Sequence, residues 1–188
     1  MRWEVRISGL GGQGILLAGY ILGKASAIFD NKNVVQTESY GPEARGSRSK
    51  TDIIISDDDI DYPYITSNNV LIALSQDAYN YYKDHVCENG IIIVDEDLVK
   101  IEELPRKNVR IYKVPATRIA TTIGRRIVAN IVILGALCAL TSIVSYSALE
   151  KAILDSVPKG SEEVNLKALR EGYNYGMKLL AESGGFQT

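Results

Sequence analysis

Apolar and polar positions alternate at the start of the chain, with Trp3, Val5 and Ile7 set against Glu4 and Arg6; this two-residue period predicts a strand over residues 2–8. Beyond Gly12 the period lengthens. Ile15, Leu16, Ala18, Ile21, Leu22, Ala25 and Ile28 fall at three- and four-residue steps and predict a helix reaching Phe29. Turn formers in "DNKN" precede a short apolar stretch at Val34 and Val35, read as a second strand completing a β-α-β unit. The polar segment "TESYGPEARGSRSKTD" then leads to the strand-like "DIIIS" around Ile53 to Ile55. The runs "NVLIALS" (69–75) and "GIIIVD" (90–95) are continuously apolar, as in strands covered on both faces of a parallel sheet. A helix is predicted between them near Asp77 to Val86. "VRIYKV" (109–114) alternates and predicts a last strand nearer an edge.

From Thr117 onward strands disappear. "IVANIVILGALCALTSIV" (127–144) is apolar nearly all round, which means burial in protein or a membrane span. Its marginal length and its Asn130, Thr141 and Ser142 favour burial. Its small residues Ala129, Gly135, Ala136 and Ala139 permit close backbone approach, either at the centre of the domain or to another subunit. Ser147 with Glu150 has capping-box spacing, with Ser145 as an alternative cap. A final helix is predicted from Ser161, with Leu166, Leu169, Tyr173, Met177 and Leu180 as its apolar stripe and Gly184 and Gly185 as its end. The expected fold is α/β, a Rossmann-like doubly wound, mostly parallel sheet with a helical C-terminal third, forming one domain over residues 1–188.

Composition narrows the function classes. With 21 basic and 23 acidic residues and a net charge of -2, the chain has no basic run suited to a phosphate backbone, and no nucleic-acid partner is expected. Cys87 and Cys138 are far apart and read as buried thiols of a reducing cytoplasm. The N-terminus enters a strand pattern without the marks of a secretory signal, so a cytoplasmic location with no membrane partner is expected.

The first candidate chemistry is "GLGGQG", in which Gly9, Gly11 and Gly14 satisfy the dinucleotide fingerprint G-x-G-x-x-G. Glu38 stands where the ribose-binding acid of such a site would fall, so a nicotinamide- or nucleotide-binding module is one reading; tight strand-to-helix turns also use glycine for structural reasons alone. The second is "YGPEARGSR", with Tyr40, Glu43, Arg45 and Arg48 on a backbone pinned by Pro42 and freed by Gly41 and Gly46. Both loops are expected at the C-terminal ends of parallel strands, facing one crevice where the arginines hold a phosphate or carboxylate. The competing reading of the second loop is a solvated surface with ion pairs. His85 beside Asp84 and Cys87 lacks the further ligands of a metal site and reads as a surface histidine, and "YNYYK" (79–83) as helix surface and packing. Arg125 and Arg126 are read equally as a helix end or as contacts to an anion or subunit. No nucleophile elbow, P-loop, iron-sulfur cysteine cluster or H-E-x-x-H occurs, and no metal is expected.

The ordered set "GLGGQG", "LAGYILGKA", "QTESYGPEARG", "ISDDDIDYP" and "ALSQDAY", continued by "IIIVDEDLV", "VPATRIA", "VANIVILGAL" and "NLKALREGYNYG", resembles the gamma subunit of 2-oxoacid:ferredoxin oxidoreductases over nearly the whole chain. The forms "VQTESYGPEARG" and "VPATRIA" look most like the 2-oxoglutarate branch. Ser47-Arg48 departs from the pattern, since relatives often carry a second glycine and a small residue there. The resemblance implies a reversible reaction of a 2-oxoacid with coenzyme A, giving acyl-coenzyme A, carbon dioxide and reduced ferredoxin. It implies that thiamine diphosphate, Mg and iron-sulfur clusters belong to the assembled enzyme, with none bound by this chain alone. Alpha and beta subunits, often a ferredoxin-like delta subunit, and ferredoxin are the implied partners, with a homodimer open to the isolated chain. On this reading Gly11, Gly12, Gln13 and Gly14, with Tyr40, Gly41, Pro42, Glu43, Arg45 and Arg48, form one wall of a composite active site. Gln13 and Glu43 would position a partner loop, and Asn130 and Gly135 mark a subunit contact. A purely structural assembly subunit is the remaining alternative.

Overall fold

The structure is a computed structural model and describes residues 1–39 and 48–183. Six strands, β1 (Arg2–Leu10), β2 (Asn33–Ser39), β3 (Arg48–Ser56), β4 (Asn68–Ala73), β5 (Val86–Asp95) and β6 (Arg110–Val114), form one sheet in the order β2-β3-β1-β4-β5-β6. β1, β4, β5 and β6 run parallel, whereas β3 is antiparallel to both β1 and β2. The expected β-α-β unit is therefore interrupted. β2 is parallel to β1 but does not touch it, because β3 turns back as the second arm of a hairpin and pairs with both. The "DIIIS" strand is correspondingly longer than its apolar part, since its polar start is held in register by β1 from Arg48 onward and by both neighbours from Lys50 onward.

The first helix, α1 (Ile15–Lys24), continues through a π-helical turn, Ala25–Phe29. α2 (Gln76–Tyr82) is capped by Ser75, whose hydroxyl accepts from the Ala78 amide at 3.1 Å. α3 (Ala116–Ile123), α4 (Ala129–Thr141), α5 (Tyr146–Ser156) and α6 (Glu162–Glu182) make up the helical C-terminal third. Of the two candidate caps for α5, Ser145 serves: its hydroxyl accepts from Ala148 N and donates to Asp30.

One face of the sheet, including Val5, Ile7, Ile53, Ile55, Ile72 and Ile93, packs with α1 and α3 to α6 into the large apolar core. The other face has a smaller core, where Leu71, Ala73, Ile92 and Val94 meet α2 and Val99. The winding is double but unequal.

Every residue of α4 from Asn130 to Leu140 is buried, which accounts for its all-round apolar pattern, and no helix among the described residues is long and apolar enough to cross a membrane. α6 lies against it so closely that a Cβ on Gly172 would overlap the Val132 backbone, and one on Gly135 would sit 2.7 Å from Tyr173 N. Gly135 thus faces this chain's own α6, which corrects the expected subunit contact there. Cys138 is buried in α4 and Cys87 is half-buried on β5, and both thiols are free.

Candidate active-site crevice

β1 ends at Leu10, and the chain reverses in a four-residue turn closed by Gln13 N donating to Leu10 O at 3.2 Å. Gly12 takes the third position with φ +91°, a left-handed conformation that favours glycine there. The Gln13 side chain folds back over the turn. Its Oε1 accepts from Leu10 N at 2.6 Å and its Nε2 donates to Leu74 O at 2.8 Å, bridging the ends of β1 and β4. A Cβ on Gly9 would collide with that carboxamide. Behind the turn, Asn130 Nδ2 donates to Gly14 O at 3.1 Å, so buried Asn130 is an internal brace rather than the subunit contact expected of it.

These contacts change the meaning of the fingerprint. The room made by the first glycine holds the protein's own amide, and Glu38 lies on β2, separated from β1 by the whole of β3. With strands about 4.8 Å apart, that acid is one strand too far out for the ribose position of a dinucleotide site.

Between the ends of β1, β4 and β5 lies a crevice of about 420 Å³, its walls including Gly11, Gly12, Gln13, Asp95, Thr117 and Arg126. This is the carboxyl edge of the parallel strands, where open α/β sheets bind ligands. The amides of Gly11 and Gly12 have no hydrogen-bond partner among the described residues. Ile127, 57% exposed, stands between this crevice and a second cavity of about 340 Å³ lined by Gly14, Arg125, Lys159 and Asn165 among others. Arg125, Arg126 and Lys159 have no ion-pair partner among the described residues. Free amides with unpaired cations suit an anionic ligand.

Asp95 is the buried acid of the crevice, and burial pushes its carboxyl above the ordinary value against the opposing hydrogen bond from Thr117. It accepts from Thr117 Oγ1 at 2.6 Å, Thr117 N at 3.0 Å and Asp97 N at 3.1 Å. Because Pro115 stands at the N-cap of α3 and makes no side-chain cap, Asp95 satisfies the helix end from the neighbouring strand. Asp97 likewise accepts from Arg118 N at 2.9 Å. Sequence reasoning missed Asp95 and Thr117 and left Arg126 undecided. The available signal was positional: Asp95 closes a fully apolar strand run at the edge where ligands bind.

Arg48 pairs in register with Leu10 beside the glycine turn, but its guanidinium lies 4.1 Å from the Tyr81 ring centroid and 3.9 Å from Asp77 on α2. Tyr40, Gly41, Pro42, Glu43 and Arg45 lie outside the described residues. Below Arg48, on the same sheet face, Arg6 makes a two-point contact with Asp52 at 2.7 and 2.8 Å while Lys50 donates to Asp52 at 2.7 Å. Burial raises the Asp52 carboxyl, but the Arg6 and Lys50 hydrogen bonds and charges outweigh it and hold the group below its ordinary value. Exposed His85 stacks with Tyr81 at 6.0 Å between centroids. Tyr79 and Tyr82 are buried, leaving Tyr81 as the exposed member of its aromatic run.

Fold and crevice together define an α/β chain whose carboxyl edge presents free amides and unpaired cations. Among the described residues, no group of three or more His, Cys, Asp or Glu side chains is arranged to hold a metal. Residues 4–175 match the family model described as Pyruvate ferredoxin/flavodoxin oxidoreductase, and the chain belongs to that family. It is 57% identical to 2-oxoglutarate synthase subunit KorC of Methanocaldococcus jannaschii, over 95% of this chain and 96% of the relative. The KorC subunit of Methanothermobacter thermautotrophicus is 49% identical, over 92% and 94% of the two chains. Among solved structures, the gamma subunit of a keto/oxoacid ferredoxin oxidoreductase from Geobacter sulfurreducens superposes with a TM-score of 0.85 at 43% identity, covering 95% of this chain and 98% of that one.

Proposed function

We propose that this chain is the gamma-type subunit of a 2-oxoglutarate:ferredoxin oxidoreductase, a non-autonomous part of the enzyme that joins a 2-oxoacid and coenzyme A with release of carbon dioxide and transfer of two electrons to ferredoxin. The carrying observation is the 57% identity to a 2-oxoglutarate synthase subunit across nearly the full length of both chains. The nucleotide-binding module is set aside because the space at Gly9 is filled by Gln13 and β3 displaces Glu38.

Cys87 and Cys138 lie on different elements and so do not make a paired ligand set for an iron-sulfur cluster, and the described residues include no group of three or more His, Cys, Asp or Glu arranged to hold a metal. We assign iron-sulfur clusters and thiamine diphosphate, with Mg, to the alpha, beta and delta-type partners, and ferredoxin to the assembly as a whole. This chain contributes a wall. The Gly11 and Gly12 amides and the Arg126 guanidinium supply donors for coenzyme A phosphates, while Asp95 holds α3 in place beside them. From the sequence, Arg45 or Arg48 is the further candidate donor to phosphate or the distal substrate carboxylate.

A tagged copy purified from its native cell should carry its partner subunits, and the complex should reduce methyl viologen with 2-oxoglutarate only when coenzyme A is present. Equal or better turnover of pyruvate would reject the substrate, and recovery of the chain without partners would reject the subunit role. In that complex, Arg45→Ala and Arg48→Ala variants with unchanged dependence on coenzyme A and 2-oxoglutarate would remove the arginines from the wall.

A further inference from the structure

In a parallel ladder the bonds are evenly spaced. Leu74 N donates to Ser8 O at 2.9 Å, so the next rung between β1 and β4 would run from Leu10 N to Leu74 O. That rung is absent as a direct bond, because the Gln13 carboxamide stands in its place, accepting from Leu10 N and donating to Leu74 O. The side chain has the length of an added amide unit and both polarities in the required order. β1 and β4 are thereby held one amide apart at the edge where the crevice opens, and Gly11 and Gly12 are held on its wall. The collision that a Cβ on Gly9 would make with Gln13 shows that the turn is built around this insertion.

We infer that Gln13 is a positioning residue: its carboxamide is a splint that sets the width of the crevice and the direction of the Gly11 and Gly12 amides toward an anionic ligand. The inference rests on the coenzyme A reading of the crevice given above. A splint differs from an ordinary stabilising contact in what its loss does. Without it, Leu10 N and Leu74 O are free to pair directly, so the backbone groups stay satisfied while the crevice narrows. Gln13→Glu keeps the acceptor for Leu10 N, loses the donor to Leu74 O and adds negative charge beside the amides.

The test is steady-state kinetics of the assembled enzyme carrying Gln13→Ala or Gln13→Glu, with Arg126→Ala as the comparison. A splint predicts a KM for coenzyme A raised about tenfold, more for Glu than for Ala, with kcat at saturation changed less than about twofold. The Ala subunit should melt within about 3 °C of the parent. If Arg126→Ala raises the KM and neither Gln13 variant does, the splint is wrong and the coenzyme A reading stands. Should none of the three move it, both are wrong. A melting temperature that falls together with kcat, at constant KM, would make Gln13 a stabilising residue and overturn the inference. Where the Ala variant fails to assemble, Gln13→Met, of similar length without the polar ends, is judged by the same split.

Discussion

The two faces of the sheet solve burial in opposite ways. On the large-core face every strand except edge strand β2 contributes fully buried apolar residues, and α1 and α3 to α6 close over them. On the other face, β1 and β3 carry the Arg6, Asp52 and Lys50 network beside α2, with Arg6 stacked 4.7 Å from the Tyr82 ring centroid. The first face tolerates no intrusion and rests on apolar packing rather than on paired charges. The second is held by groups whose worth depends on one another's presence and charge.

The largest effect should come from the packed face. Gly172→Val forces a side chain into the Val132 backbone where α6 crosses α4, neither of which can yield locally. We expect a loss of at least about 3 kcal/mol, seen as a melting temperature lowered by roughly 10 °C or as insoluble protein. A variant that melts with the parent would contradict the close helix crossing.

On the charged face, Arg6→Met leaves Asp52 buried with Lys50 as its remaining partner and should cost about 2–3 kcal/mol in denaturant unfolding. Adding Asp52→Leu should return most of that loss, since two apolar residues leave no buried charge unpaired. Additive losses in this cycle would show that the pair is not coupled.

The two faces also separate by pH. Asp52 is held below its unfolded value, so its contribution is complete above about pH 4 and is lost as acid titrates it in the folded state. Asp57 at the opposite edge, paired with Lys32 and the N-terminus and held at about 2, is lost in the same acid range. Stability should therefore fall with pH below about 4, and Asp52→Asn should flatten part of that fall. An unchanged slope would mean that Asp52 titrates alike in the folded and unfolded chains.

The smallest effect is expected at Ser145→Ala, about 1 kcal/mol, through loss of the Ala148 cap and the hydroxyl bond to Asp30. The same substitution at Ser147, which has capping-box spacing without serving as the cap, should cost less.

The apolar face is legible in the sequence because burial leaves a period. Ile53 to Ile55, residues 69–75 and 90–95 and the whole of α4 are marked out by the spacing of apolar residues alone. The polar face is not legible in that way. Arg6 opposite Asp52 is a statement about register, and register between β1 and β3 follows from a hairpin that local pattern reads as half of a β-α-β unit. The site is half legible. The glycine turn and the carboxyl edge show in the sequence, whereas Asp95, Thr117 and the internal employment of Asn130 depend on contacts between residues as far as 116 positions apart. Gly135 misleads for a related reason: a small residue on an apolar helix announces close approach without naming the neighbour.

The antiparallel return of β3 has a consequence for the segment between Ser39 and Arg48. Ser39 stands opposite Lys50 in the ladder, so the two roots of that segment are fixed on neighbouring strands by the sheet itself. Closing the loop then adds little entropy cost that depends on what the loop contains, with a doubling of its length costing only about 0.6 kcal/mol. Insertions, deletions and exchanged side chains can accumulate between those two anchors while the sheet beneath keeps its register, so the sequence there is free to change without the framework having to be refolded.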